Sequence, residues 1–560
     1  MITAGLTSDP HPADSPHLDA PSPDALSPDG SSPVSAATPT TPAQRASPAP
    51  EPPVSGRLLE ARDRLARRVL ARVGADGLLD APCESRVLES ALLLRLVIGL
   101  TPTDPARDRL THHLKHALDT APPDPIQRAV ARAVLGEVVT GDAETERALS
   151  RFAHFTVDRK RTMFQTLLAH LGAAPWPPVP LDAYEARGQQ SWLALEMAAL
   201  KILAVQGTGR ADALTPHDWA ALAPALRTGP AWEANNLARL LGLLALSTDP
   251  VRHPEVAAAV TRTARELRPD GGLPFITGMD VFATATGGLA LTAAGYGAHP
   301  AVARMVHGLA AQQHKDGGFG FTRGVRQSDA DDTAYTVEFL RAMAPVRHAA
   351  VIEAAEDYLT GLANDDGGIP TFARGVDSEA AMTAGAVNAL APSARCREAV
   401  EAAARFLTGE AAAAALHERS WSRNVTNAVH RTVLACDSLT SLAPGPVLRE
   451  RLAALRTRLL AHLLEHRLPD GGWGHEDTGP SDPISTAYAT VALARAPGHT
   501  AELGAAVDYL ADRQRPDGGF DSVPDQAGPR PLLYDAPALA DNCVLLAWGH
   551  ALRRPTTPRR

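Results

Sequence analysis

The stretch HKDGGFGF, residues 314–321, contains the tripeptide that organises the chain. Asp-Gly-Gly starts here at Asp316 and also at Asp270, Asp366, Asp470 and Asp517, within RPDGGLPF, NDDGGIPTF, LPDGGWGHE and RPDGGFDSV. In chain order the intervals are 46, 50, 104 and 47 residues. The long interval is two units, which places a degenerate copy near Ser420 and Trp421 and makes the repeat about 50 residues. Between copies, VFATATGGLALTAAG, AYTVEFLRAM and ISTAYATVALARA are helical by period and length and show no strand-like alternation. Each repeat is therefore read as a helical hairpin. Six hairpins, from about residue 256 to the C-terminus, close into a ring of two concentric helical layers, because each buries its apolar face only against its neighbours. Glycine supplies the positive φ of the turns and Asp bonds nearby amides, so the tripeptide marks architecture rather than chemistry.

Outward from the repeats, residues 80–250 are also helical (CESRVLESALLLRLVIGL, WLALEMAALKILAVQG, WEANNLARLLGLLAL) but lack the turn signature. They predict a second, diverged helical domain. The expected organisation is all-α, with two α/α-barrel (toroid) domains: an N-terminal one over 56–255 and a repeat-bearing one over 256–556. The first helix, in LLEARDRLARRVLARV from Leu58, is free to pack on the other domain. Residues 1–55 hold 13 Pro and one basic residue, Arg45, and are expected to form a disordered tail, lacking the basic start and apolar centre of a secretion signal. The longest apolar stretch, Ser90–Leu100, is interrupted by Arg95, so no bilayer span is expected.

The 560-residue chain is 45% hydrophobic, enough for a large core, and its net charge of −9 argues against a dedicated nucleic-acid binder. The four cysteines, Cys83, Cys396, Cys436 and Cys543, form no CxxC pair. A reducing, cytoplasmic setting fits. A homodimer is compatible with this reading.

The sharpest chemical signal is SDADDTAYTVEFL, residues 328–340. Ser328 or Asp329 caps the helix that follows, gathering three carboxylates at its start. Asp329 and Asp331 are two apart and cannot share one helix face, and the residues after them are largely apolar. Carboxylates packed into an apolar pocket resist full ionisation, so one of them holds its proton at neutral pH and becomes available as an acid.

Asp-X-Asp-Asp-Thr-Ala, on a background of Asp-Gly-Gly hairpins, resembles the signature of the class II terpene cyclases, the family that includes copalyl and drimenyl diphosphate synthases and the squalene–hopene cyclases. DGGLPFITGMDVF (270–282), Thr322-Arg323-Gly324 and Thr383 to Asn388 resemble further stretches of its diphosphate-using members. The resemblance covers about residues 180–550 and is strongest over 265–390. It implies a βγ-type architecture and a reaction started by protonating an alkene. Asp331 would be the general acid, with Asp329 and Asp332 tuning and orienting it, and Asn388 bonding its carboxyl.

The resemblance also implies Mg²⁺ held near a helix that here reads SWLALEMAALKI, with Glu196 at its acidic position. Upstream, only Asp182 and Glu185 stand where an acidic run is expected. Arg323, Arg326 and Lys201 are candidate diphosphate contacts by charge. The sequence has no DDxxD motif, so the diphosphate is expected to survive. With 4% aromatics, a diphosphate-bearing substrate is favoured over squalene. The resemblance of the compact chain to the bacterial drimenyl-forming members implies farnesyl diphosphate giving a drimenyl skeleton over geranylgeranyl diphosphate giving a copalyl or labdane-type one. Related toroids serve as protein prenyltransferase subunits or noncatalytic scaffolds. Cys396 has no nearby partner suggesting a zinc set, and no Cys-Gly-Glu-Gln thioester motif occurs.

Overall fold

Each Asp-Gly-Gly turn is shaped by its first glycine and tied by its aspartate. Gly317 has φ +87°, and Asp316 Oδ1 accepts from the Gly318 amide at 3.0 Å; Gly271, Gly367, Gly471 and Gly518 repeat the conformation at φ 83–87°. A Cβ on Gly317 would lie 2.3 Å from the Ala354 carbonyl oxygen, so both the backbone conformation and the neighbour exclude a side chain. Gly317→Ala is accordingly expected to destabilise the protein by ~3 kcal/mol, read as a fall in the thermal unfolding midpoint.

The computed structural model describes residues 56–120, 124–137, 143–150, 156–178, 180–185, 190–409, 421–443, 445–475 and 479–553. The expected N-terminal tail and Ser420 lie outside them. Among the described residues the helices that matter for the site are α1 (Gly56–Ala71), α2 (Val87–Leu100), α3 (Val157–His170), α4 (Ser191–Gly207) and α5 (Asn236–Leu246) before the repeats. The repeats then alternate α6 (Asp280–Ala293), α7 (Pro300–Ala310), α8 (Ala330–Met343), α9 (Ala349–Leu362), α10 (Ala380–Leu390), α11 (Arg397–Thr408), α12 (Val425–Leu442), α13 (Pro446–Glu465), α14 (Pro483–Ala494), α15 (Thr500–Asp512) and α16 (Ala538–Leu552).

The even-numbered repeat helices are buried nearly all round; α14, PISTAYATVALA, is buried at every position. A helix without a polar face must be enclosed, and these six pack in sequence, α6 on α8 and onward to α16, which returns to α6 and closes the ring. Odd-numbered helices bury one face against them. The sixth outer place is taken by α1, which packs on α16. Gln514 Nε2 donates to the Ala61 carbonyl (2.9 Å), Arg68 Nε meets Asp541 (2.8 Å) and the Tyr296 hydroxyl donates to Asp63 (2.7 Å). The first described helix therefore belongs to the repeat ring, although the other helices of the N-terminal half follow it in sequence.

Among the described residues strands are limited to two-residue ladders: β1 (Ser85–Arg86) with β2 (Leu273–Pro274), β3 (Trp473–Gly474) with β4 (Ser481–Asp482), and β5 (Gln526–Ala527) with β6 (Leu533–Tyr534), all antiparallel. The first ties the N-terminal helices to the ring. Among the described residues no helix is long and apolar enough to cross a membrane.

Candidate active site

Asp329 is the N-cap of α8. Its side chain accepts from the Asp332 amide at 2.8 Å, and its own amide donates to the Phe319 carbonyl at 3.0 Å, drawing the helix start against the Asp-Gly-Gly turn. Asp329 and Asp332 are buried and hydrogen-bonded to each other through their side chains. Burial raises both carboxyls, and the Asp332 carboxyl, which also faces the Asp329 charge, is held well above the usual range. Asp331, outside that pair, is half-buried against a cavity that all three carboxylates line. Burial pushes its carboxyl up to about 7; Arg431 opposes that shift, and Asp329, Glu338 and Glu379 add to it.

The cavity, about 1240 Å³ including its mouth, lies between helices from both halves of the chain. One wall is aromatic. Phe372 meets Trp192 and Trp421 edge-on, with centroids 6.2 and 5.5 Å apart, while Phe275, Phe282, Phe321 and Tyr534 line it elsewhere. Seven of the chain's 25 aromatic residues thus line this one cavity, where aromatic rings favour a cationic ligand.

Three cations line the same cavity: Arg159 and Lys160 from α3, and Arg530 from the segment joining β5 to β6. Lys160 is buried beside Glu196 of α4, and burial pulls its ammonium down to about 8 against that partner's attraction. Asn235 donates to Glu196 at 3.4 Å. Among the described residues, Arg159 Nε and Glu196 Oε2 are buried without a hydrogen-bond partner. Arg530 lies over Trp421, 5.1 Å from the ring centroid, and 3.7 Å from Glu379. None of the three cations was singled out by sequence spacing; Glu196 was, for its place on the helix.

Of the residues read from sequence, Asp329, Asp331 and Asp332 come together at the cavity. Asn388 does not join them: its amide nitrogen donates to the Arg431 backbone carbonyl at 3.2 Å, because residue 388 lies about two turns further along α10 than the level of the acid. The expected diphosphate contacts are occupied elsewhere. Arg323 pairs with Asp280 and, at 2.7 Å, with Asp76; Arg326 lies over Trp232 at 5.0 Å; Lys201 pairs with Asp218 at 2.8 Å. None of them lines the cavity.

Asp182 and Glu185 are exposed and also off the cavity, and among the described residues no group of three His, Cys, Asp or Glu is disposed to hold a metal. This donor set does not fit a protein-held Mg²⁺. Asp182→Ala and Glu185→Ala are expected to leave the Mg²⁺ response of turnover unchanged, which a metal titration of initial rates would check.

No protein-family model matches the chain. It is 55% identical over 520 residues to a drimenyl diphosphate synthase of Streptantibioticus cattleyicolor, covering 90% of this chain and 97% of that protein. It is 52% identical over 530 residues to one of Streptomyces showdoensis, covering 92% and 98%. Among solved structures, ent-copalyl diphosphate synthase from Streptomyces platensis shares the fold, with a TM-score of 0.53 at 17% identity over 89% of this chain and 100% of that one.

Proposed function

The chain belongs to the drimenyl diphosphate synthases, a family of class II terpene cyclases, and from that premise we propose that it cyclises farnesyl diphosphate to drimenyl diphosphate with Asp331 as the acid. The observation that carries the assignment is the Asp331 carboxyl. It is raised to about 7 and faces an aromatic-lined cavity, while its two acidic neighbours at the same cavity are more deeply buried and bonded to each other.

An isolated alkene is a very weak base, so its protonation needs a positioned acid that keeps its proton at neutral pH in a site shielded from water. The Asp331 O–H bond breaks, its electron pair stays on the carboxylate, and the π pair of the terminal double bond forms the new C–H bond. The tertiary cation is taken up by the next double bonds in turn, closing two rings, and loss of a proton from the bicyclic cation ends the sequence. Phe282, Phe321 and Phe372 offer their faces to the moving positive charge. Arg159, Lys160 and Arg530 hold the diphosphate, which is retained because the reaction needs no leaving group. Among the described residues Mg²⁺ has no fitted protein site, and it enters no step; we assign it only as a companion of the diphosphate oxygens.

The test is direct. Purified protein is given farnesyl and geranylgeranyl diphosphates separately and in competition, and products are read before and after dephosphorylation, with pyrophosphate assayed in parallel. A bicyclic C15 diphosphate with no pyrophosphate is the expected result. Stoichiometric pyrophosphate would overturn the protonation mechanism. A C20 preference of about tenfold or more, roughly 1.4 kcal/mol of discrimination, would overturn the substrate and leave the mechanism intact.

A further inference from the structure

Beneath Asp331 the ring encloses a cation that does not line the cavity. Asp331, Tyr335 and Glu338 fall at i, i+4 and i+7 on α8 and form one row along a face. Arg431 of α12, itself buried, reaches that row from two helices away. Its guanidinium carbon is 4.1 Å from the Tyr335 ring centroid, and its terminal nitrogens are 2.6 and 3.3 Å from the Glu338 carboxylate. It crosses α10 at Gly385, where a Cβ would lie 3.1 Å from Nη2. Asn388 fixes the Arg431 backbone carbonyl, and Arg431 Nε is buried with no hydrogen-bond partner among the described residues. A desolvated guanidinium with an unspent donor thus stands about one helical turn from the acid.

The charges that face Asp331 are Asp329 and Asp332 at the same helix start, Glu338 further along α8, Glu379 at the start of α10 with Arg530 beside it, and Arg431 from α12. Burial and the carboxylates favour the protonated form; Arg431 favours the ionised one. An acid raised only by burial and like charges would hold its proton too tightly to give it to an alkene.

We propose that Arg431 is a positioning residue for proton transfer: stacked on Tyr335 and clamped by Glu338, it stabilises the Asp331 carboxylate left when the proton moves to the substrate. This inference rests on Asp331 being the acid. Tyr335, Glu338 and Asn388 act through Arg431 by fixing where its charge sits.

The experiment is a pH profile of kcat and kcat/KM for Arg431→Gln/Glu338→Gln, in which both buried charges are removed together so that neither is stranded. Turnover requires protonated Asp331 and falls as pH rises through its pKa. Arg431 lowers that pKa more strongly than Glu338 raises it. The double variant should therefore show its descending limb displaced upward by about one pH unit, with kcat reduced about tenfold or more and KM for the diphosphate unchanged. A folded double variant with an unmoved limb and unchanged kcat would show Arg431 to be structural only.

If the double variant does not fold, Glu338→Gln alone decides, because freeing Arg431 from its partner must move the limb to lower pH, and an unmoved limb overturns the proposal. Asp331→Asn serves as the separate control: turnover surviving that change would remove the acid assignment itself, whereas its loss, combined with an unmoved limb in the Arg431 variants, would remove only this inference.

Discussion

Replacing Asp331 by Asn is expected to cut turnover by about a thousandfold or more while substrate still binds, as judged by product formation and by ligand-induced thermal stabilisation. The amide keeps the shape of the carboxyl and has no proton to give. Wild-type kcat should fall as pH rises through about 7, the value to which burial lifts Asp331. The same shift has a consequence for stability. A folded-state pKa of about 7 against an ordinary unfolded value near 3.8 means that the native state binds the proton more tightly. Its stability contribution is complete below about pH 4 and is lost progressively as pH rises to about 7. Asp331→Asn should therefore unfold at a higher temperature than wild type at pH 8, on the order of a few kcal/mol more stable, with the gap closing towards pH 4. A variant that is both inactive and less stable at pH 8 would mean that Asp331 is a structural carboxylate.

What could be read in the sequence and what could not divides by the range of the contacts involved. The Asp-Gly-Gly turns and the Asp329 cap are made by neighbours: Asp316 bonds the amide two residues on, and Asp329 the amide three on. Such contacts repeat with the chain, so their spacing announces the hairpins and the acid-bearing helix start. Arg323 was attractive by closeness to the acid in sequence, yet its charge is satisfied by Asp280, 43 residues away, and Asp76, 247 away. Those partners carry no spacing signal. Arg530 and Lys160 reach the cavity for the opposite reason. One lies in the segment between β5 and β6, the other on a helix of the N-terminal half, and only the packing of the two halves brings them to one cavity.

Asn388 shows a finer limit. The resemblance singled out Asn388 as a partner of Asp331, but its carboxamide on α10 contacts α12 rather than α8. Helical periodicity indicates which face a residue shares, not how far along a neighbouring helix its side chain will find a partner. The place of α1 in the outer layer was open for a related reason: its apolar stripe shows that it packs, whereas the surface that receives it, on α16, lies far along the chain. The carboxylate cluster could be read early because capping and burial both act within a few residues of Asp331. The cavity cations could not, because they come from distant parts of the chain that meet only in the folded protein.

Lys160 offers the second large effect, and its argument requires a pair of variants. Lys160→Gln alone strands the buried Glu196 carboxylate, at a cost of about 3–5 kcal/mol in stability, so loss of activity in that variant could reflect unfolding. Glu196→Gln in the same chain removes the stranded charge and should restore the unfolding midpoint to near that of wild type. The restored double variant still lacks an ammonium at the cavity wall. If Lys160 holds the diphosphate, KM should rise on the order of a hundredfold, the scale of a desolvated charge contact. The kcat value should change far less, because the proton is delivered at the opposite end of the substrate. Farnesol, which has no diphosphate, supplies the control: its slow turnover should be the same in wild type and double variant. A double variant with wild-type KM would mean that Lys160 and Glu196 only brace each other, and would leave Arg159 and Arg530 as the cations that meet the headgroup.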